Sequence, residues 1–254
     1  MMTHDRADWV WITGASSGIG EALARRLLGE GRQVVITARS REKLQSIADD
    51  FPDNCHVLPV DLTDRQGLDS AREAMMAIND HLDAVVLNAG TCEYIDTRHF
   101  DAGLFEPVMN INVLGSANTL ELALPMLRRS PNRAQVVGVG SMAAVLPLTR
   151  SEAYGASKAA MEYLMNSLRV DLAAERIDVT LVRPGFVKTP LTDRNDFEMP
   201  FLIDAEQASG HIARGMDKRK LTVQFPWQLV WIMHLISWLP LGWQTALLKK
   251  MVNN

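Results

Sequence analysis

Short, unbroken apolar runs alternate with longer amphipathic ones along most of this chain. Trp9 to Thr13, Val34 to Ala38, Val57 to Val60, Ala84 to Leu87, Gln135 to Val139 and Val179 to Val182 read as six strands. They are rich in Val and Ile and lack polar alternation, the pattern of strands covered on both faces. Between them, Gly18 to Leu28, Arg41 to Asp50, Asp64 to Asn79, Phe105 to Arg129 and Ser151 to Glu175 read as helices, and Gly29 and Gly31 suit the first helix exit. Strand–helix alternation at this spacing predicts an α/β fold: a Rossmann-type, doubly wound parallel sheet wrapped by helices. In such sheets ligands sit beyond the carboxyl ends of the strands. No Pro/Gly/Ser-rich linker interrupts the chain, so residues 1–254 read as one domain.

Composition narrows the function. Apolar residues are 47% of the 254, ample for a buried core. Net charge is −4 with no block of one sign, which argues against nucleic acid as the main partner. Cys55 and Cys92 give neither a disulfide framework nor metal-ligand spacing, and the His residues are scattered, so no metal site is expected. Met1 to Arg6 has no apolar signal core, and a reducing cytoplasmic setting is the default.

The chemistry-bearing residues fall at the strand ends. Tyr154 and Lys158 stand four apart and share one face of a helix. A cation beside a phenol favours phenolate and lowers its pKa, which suits general acid–base work on an alcohol or carbonyl. Gly14, Ser16, Ser17, Gly18, Ile19 and Gly20 follow the first strand, where a tight turn and a helix N-terminus can receive a pyrophosphate. The second strand ends in Ala38-Arg39-Ser40 with no acid. An acid there would bind the 2′-hydroxyl of NAD, whereas arginine accommodates the 2′-phosphate of NADP, so NADP(H) is favoured over NAD(H). Asp61, beside Leu62, is a candidate for the adenine amine or equally a helix cap. Asn88-Ala89-Gly90 and Pro184-Gly185-Phe186-Val187-Lys188-Thr189 close the fourth and sixth strands. Small residues there admit a cofactor, and Thr189 offers a hydroxyl to a carboxamide.

As an ordered set, Thr13-Gly14-x-x-x-Gly18-Ile19-Gly20, Asp61, Asn88-Ala89-Gly90, Asn112, Ser141, Tyr154-x-x-x-Lys158 and Pro184-Gly185-x-x-x-Thr189 resemble the short-chain dehydrogenase/reductase family, from about Trp9 to Thr189. The resemblance implies a nicotinamide cofactor, held also by Val187, Tyr154 and Lys158, and hydride transfer to or from a carbonyl carbon. It implies a catalytic tetrad at Asn112, Ser141, Tyr154 and Lys158. Tyr154 would give its proton to the substrate oxygen and Ser141 would hold that oxygen. Lys158 would grip the nicotinamide ribose, and Asn112 would hold a water linking Lys158 to solvent. Its layout puts Ser141, Met142, Ala143, Leu146 and Tyr154 at the substrate, with Thr91, Cys92 and Glu93 nearby and a lid within residues 190–217. These mostly apolar positions suggest a hydrophobic carbonyl or alcohol, or else ordinary core packing. The resemblance further implies a homodimer or homotetramer built on the helices near 105–129 and 151–175. A non-catalytic NADP(H)-binding regulatory protein on the same fold is the rival reading.

Beyond residue 220 the pattern changes. Residues 226–254 form an apolar extension, with Trp227, Trp231, Trp238 and Trp243 followed by Lys249 and Lys250. Pro240 and Gly242 interrupt it too early for the about 20 apolar residues of a membrane span. Three readings stand: a roof over the substrate pocket or a subunit contact, a peripheral membrane contact, and plain core.

Overall fold

The computed structural model describes residues 8–252. The N-terminal stretch Met1 to Arg6 therefore lies outside the described residues, and so does the Lys250 side chain. In chain order the elements are β1 (Trp9–Thr13), α1 (Gly18–Gly29), β2 (Gln33–Thr37), α2 (Arg41–Asp50), β3 (Cys55–Val57), α3 (Leu68–Ile78), β4 (Ala84–Leu87), α4 (Phe105–Met109), α5 (Gly115–Leu127), β5 (Ala134–Val139), α6 (Glu152–Asp171), β6 (Ile177–Pro184), β7 (Val187–Lys188), β8 (Ile203–Asp204), α7 (Ala205–Asp217), β9 (Thr222–Phe225), α8 (Trp227–Ser237) and α9 (Leu241–Val252). Seven strands form one sheet in the order β3-β2-β1-β4-β5-β6-β9, every pair parallel. The order reverses between β1 and β4, which opens a crevice at their carboxyl ends.

Strand residues divide by parity between two apolar layers, because successive side chains point to opposite faces. Val10, Ile12, Val34, Ile36 and Val86 meet Leu23 and Leu27 of α1, Leu44 and Ile47 of α2, and Ile212 of α7. Trp11, Val35, Val85 and Val136 meet Met75 of α3, Leu120 and Ala123 of α5, and Met161 and Met165 of α6. Trp11 is wholly buried, and its indole N–H donates to the Thr37 hydroxyl at 2.8 Å, so the largest core side chain leaves no polar atom stranded.

Four expectations shift. The third strand starts two residues earlier than its apolar run and ends before Pro59, though Leu58 and Val60 still donate to Ile36 and Ala38. The Asp64 to Asn79 helix begins only at Leu68, since the Asp64 carboxylate caps the Gln66 N–H and holds a turn. The helix expected from Phe105 to Arg129 is interrupted by a π-helical turn at Asn110–Leu114. Thr222–Phe225 supplies a seventh strand, whose half-buried alternation is that of a sheet edge.

The lid expected over residues 190–217 is too long by one helix. Ala208, Ser209, Ile212 and Ala213 of α7 are buried against α1, and Arg26 of α1 donates to the Ser209 hydroxyl at 2.9 Å. Residues 190–202, between β7 and β8, carry only the short 3-10 turn Thr192–Arg194. Ile212→Ala should therefore destabilise the protein by about 2–5 kcal/mol, measured by urea unfolding. A loss under about 1 kcal/mol would mean that α7 is not core.

Candidate active site

The loops after β1, β2, β3, β4, β5 and β6 converge on one cleft of about 540 Å³. Two backbone ties hold its floor. The Asn88 amide donates to Thr13 O at 2.9 Å and Gly14 O at 3.1 Å, and the Thr13 hydroxyl accepts from the Asn88 and Ala89 N–H groups. Gly14 has φ +68°, and a Cβ there would sit 2.7 Å from the Ala89 Cα, so only glycine lets these loops touch. Past Gly14 the chain enters α1. The Ser17 side chain caps none of its first-turn N–H groups, which leaves those donors available.

Of the residues read from the sequence, Gly14, Ser16, Ser17, Gly18, Ile19, Arg39, Asp61, Leu62, Asn88, Ala89, Gly90, Ser141, Tyr154, Lys158, Pro184, Gly185, Val187 and Thr189 all line the cleft. Gly20 does not. A Cβ at Gly20 would lie 2.3 Å from Gly14 O, so its smallness serves helix-to-loop packing. At one end Arg39, Ser40 and Lys43 line the wall, and among the described residues neither Arg39 nor Lys43 makes an ion pair. Asp61 accepts from the Thr63 N–H and hydroxyl at 2.9 and 2.7 Å. Those bonds, led by the backbone one and helped by the Arg39 charge, hold its carboxyl below the usual range.

At the other end stand Ser141, Tyr154 and Lys158. Lys158 is buried, donates to Val139 O at 2.9 Å, and its Nζ lies 5.6 Å from the Tyr154 ring centre. The Ser141 hydroxyl accepts from the Ala143 N–H at 3.1 Å. Burial dominates the protonation of the pair. It pushes the Tyr154 phenol up to about 12, against the opposing effect of the Ser141 hydroxyl, and the Lys158 ammonium down to about 8. The lowering of the phenol by Lys158 expected from the sequence does not hold here: desolvation leads both shifts, and each group is biased to its neutral form.

Asn112 sits behind this end, 1% exposed, at the centre of the π-helical turn. Its Oδ1 accepts from the Thr91 N–H at 2.7 Å, and its Nδ2 donates to Thr91 O at 2.9 Å and the Ser157 hydroxyl at 2.8 Å. Both amide hydrogens are therefore engaged with protein, and the side chain braces the β4 loop against α6. Such single π-helical turns inside α-helices are found frequently at functional sites.

Met142, Ala143 and Leu146 do not reach the cleft. All three are buried, and Met142 and Leu146 pack with Leu229 and Met233 of α8. The turn after Ser141 carries them inward, beneath the C-terminal helix. Beside Tyr154, outside the cleft lining, stands a small aromatic group. Tyr94 is pushed up to about 12 by burial, with Cys92 and Tyr154 close enough to add to the shift. Phe197 meets both Tyr94 and Phe186 edge-on, at 6.3 and 6.0 Å between ring centres. Sequence reading passed over Tyr94, which no motif marks, whereas Phe197 falls within the expected lid. Thr37 and Ile111 line the cleft unannounced, and Leu191 of the expected lid lines it too.

Residues 8–199 match the short chain dehydrogenase family. The chain belongs to that family. An uncharacterized oxidoreductase of Myxococcus xanthus is 38% identical over 223 residues, which cover 86% of this chain and 87% of the relative. A rhamnolipids biosynthesis 3-oxoacyl-[acyl-carrier-protein] reductase of Pseudomonas aeruginosa is 33% identical over 204 residues, covering 78% and 79%. Among solved structures, the NADP active-site complex of Pseudomonas aeruginosa RhlG superimposes with a TM-score of 0.70 at 32% identity, over 73% of this chain and 75% of that one. A Burkholderia phymatum family member in complex with NAD shares the fold, with a TM-score of 0.82 at 19% identity over 92% and 94% of the two chains. This short-chain dehydrogenase is thus an oxidoreductase that uses a nicotinamide dinucleotide on a carbon bearing hydroxyl or carbonyl oxygen. The cleft suits such a cofactor: its volume lies within the range of about 300–1,000 Å³ usual for ligand sites, free helix N–H groups face one part, and unpaired cations stand at one end.

The buried lysine has a measurable consequence. Between pH 8 and 10.5 a solvated lysine keeps a proton that Lys158 has released, so the unfolded chain binds more protons and stability rises with pH. Above pH 10 the phenol of Tyr154 acts in the opposite sense, because the folded chain keeps its proton up to about 12. Relative to Lys158→Met, the wild-type urea midpoint should climb between pH 8 and 10. Parallel midpoints for the two proteins would refute the depressed lysine.

Proposed function

We propose that this enzyme is an NADP(H)-dependent reductase of a hydrophobic carbonyl, or the dehydrogenase of the matching alcohol. One observation carries the reading: a single cleft has unpaired Arg39 and Lys43 at one end and half-buried Tyr154 with buried Lys158 at the other. Arginine offers a planar fork to a 2′-phosphate, and no acid follows β2 to favour a free 2′-hydroxyl. The NADP complex of the 32%-identical Pseudomonas aeruginosa protein supports the same choice.

When bound, the dinucleotide supplies or accepts hydride at the carbonyl carbon. Tyr154 is neutral at physiological pH and donates its proton to the substrate oxygen, while the Ser141 hydroxyl holds that oxygen. Lys158, whose proton is labile near pH 8, returns a proton to Tyr154 and meets the nicotinamide ribose. Asn112 acts as a positioning residue by fixing Thr91 and Ser157 beside the lysine. The hydrophobic preference is supported by Tyr94, Phe186 and Phe197, and by the 3-oxoacyl reductase among the relatives.

Residues 190–202 serve as the substrate lid of a single domain. Arg194 pairs with Glu93 at 3.1 Å and Arg150 with Asp196 at 2.8 Å. Exposed pairs of this kind contribute about 0–1 kcal/mol, weak enough to open and close. Outward-facing Tyr163 and Val170 on α6, and Leu114 beside α5, support a homodimer or homotetramer on those helices. Two unpaired cysteines suit a reducing cytoplasm.

Tyr154→Phe should lower kcat by about 10²- to 10⁴-fold with little change in cofactor affinity. NADPH oxidation with medium-chain 3-oxoacyl thioesters, ketones and aldehydes is the assay, and equal turnover removes Tyr154 from the proton step. Arg39→Asp should weaken NADPH about tenfold or more while leaving NADH nearly unchanged. Titration by cofactor fluorescence reads both constants, and an unaltered ratio takes Arg39 out of cofactor choice.

A further inference from the structure

The C-terminal helices present apolar surface outward. Trp227, Trp231, Leu235 and Trp238 recur at helical spacing along α8 and are 69%, 71%, 65% and 82% exposed. Its opposite face, Leu229 and Met233, is buried over Met142 and Leu146. α9 adds exposed Leu241, Trp243 and Leu247. Four tryptophans at this exposure offer on the order of 500 Å² of aromatic surface, as much as the whole largest apolar patch of an ordinary monomer. Plain core is therefore excluded for this face.

A second cavity, of about 330 Å³, adjoins that face at the β9 edge of the sheet. His211, Arg214, Lys218 and Lys220 line it together with Trp227 and Trp231, and no carboxylate does. Among the described residues none of these three Arg and Lys side chains is in an ion pair, whereas neighbouring Arg219 is bound to Asp178. Burial, with the charges of Arg214 and Lys220, holds the His211 ring below its ordinary pKa, as a positive field must. The charge pattern extends along the chain. Residues 218–254 hold five Lys and Arg and no Asp or Glu, in a protein where acids outnumber bases 30 to 26.

We propose that the Arg214–Lys218–Lys220 pocket and the α8–α9 tryptophan face bind an anionic phospholipid surface, with a headgroup phosphate in the pocket and the indoles at headgroup depth. Tryptophan favours that interface, and clustered Lys and Arg are drawn to anionic lipid. The helices lie along the surface, since no described helix is long and apolar enough to cross it. A second copy of this chain is a poorer occupant, because a two-fold contact through the patch would bring two sets of like cations together. The site is separate from the cofactor cleft and does not depend on the function proposed for it.

Flotation of the full chain with phosphatidylcholine vesicles, with and without phosphatidylglycerol, tests this directly. Wild type should float with the anionic vesicles at low salt and lose affinity at high salt. Arg214→Gln/Lys218→Gln/Lys220→Gln should weaken binding about 10²-fold, or about fivefold per cation. Trp231→Ser/Trp238→Ser should abolish flotation. All five positions are exposed, and an unchanged thermal midpoint verifies folding. Equal flotation on neutral vesicles, or none lost by the triple variant, overturns the headgroup pocket. Absence of flotation overturns the proposal outright. In that case, self-association dissolved by the tryptophan variant would assign the face to a second copy, and stoichiometric binding of inorganic phosphate would make the pocket a soluble-anion site.

Discussion

A parallel sheet covered on both faces has only its strand ends to offer to solvent. That constraint arranges everything else in this molecule. Strand residues from Val10 to Val182 are committed by parity to one apolar layer or the other, so no chemistry can sit on a face. Polar residues collect where each strand stops, and the reversal of strand order between β1 and β4 parts the loops there. The Asn88 amide then fixes the width of the gap by holding two carbonyls of the first loop.

The same burial sets the electrostatics of the reacting end. Lys158 and Tyr154 are one helical turn apart, and a sequence-level argument expects the cation to stabilise phenolate. Within the protein, loss of water affects both groups more strongly than either affects the other. The outcome is a neutral phenol beside a lysine whose proton is labile near pH 8. Bound cofactor would add its own charges to that balance.

The C-terminal segment follows a different rule. It completes the sheet through β9 and seats Leu229 and Met233 over the turn after Ser141. Leu229 also approaches the position of a Cβ on Gly185 to 2.5 Å, so α8 supports the cleft wall from behind. Its other face is turned to solvent with an indole at nearly every turn, beside unpaired cations.

Much of the site was legible in advance because its signals are local. A tight turn needs glycine, a strand end needs small residues, and a tyrosine and lysine four apart share a helix face whatever surrounds them. The alternation of apolar and amphipathic runs determined the α/β class, the parallel sheet and the end at which ligands bind. Tertiary structure decided what depends on distant partners. It turned Met142 and Leu146 into core, brought Tyr94 and Phe197 together across about a hundred residues, made α7 a packing helix, and bent the chain at Asn112 so that its amide could reach Thr91 and Ser157. It also set the protonation of Tyr154 and Lys158, because the cost of losing water depends on the surrounding protein and not on the spacing of two residues along a helix.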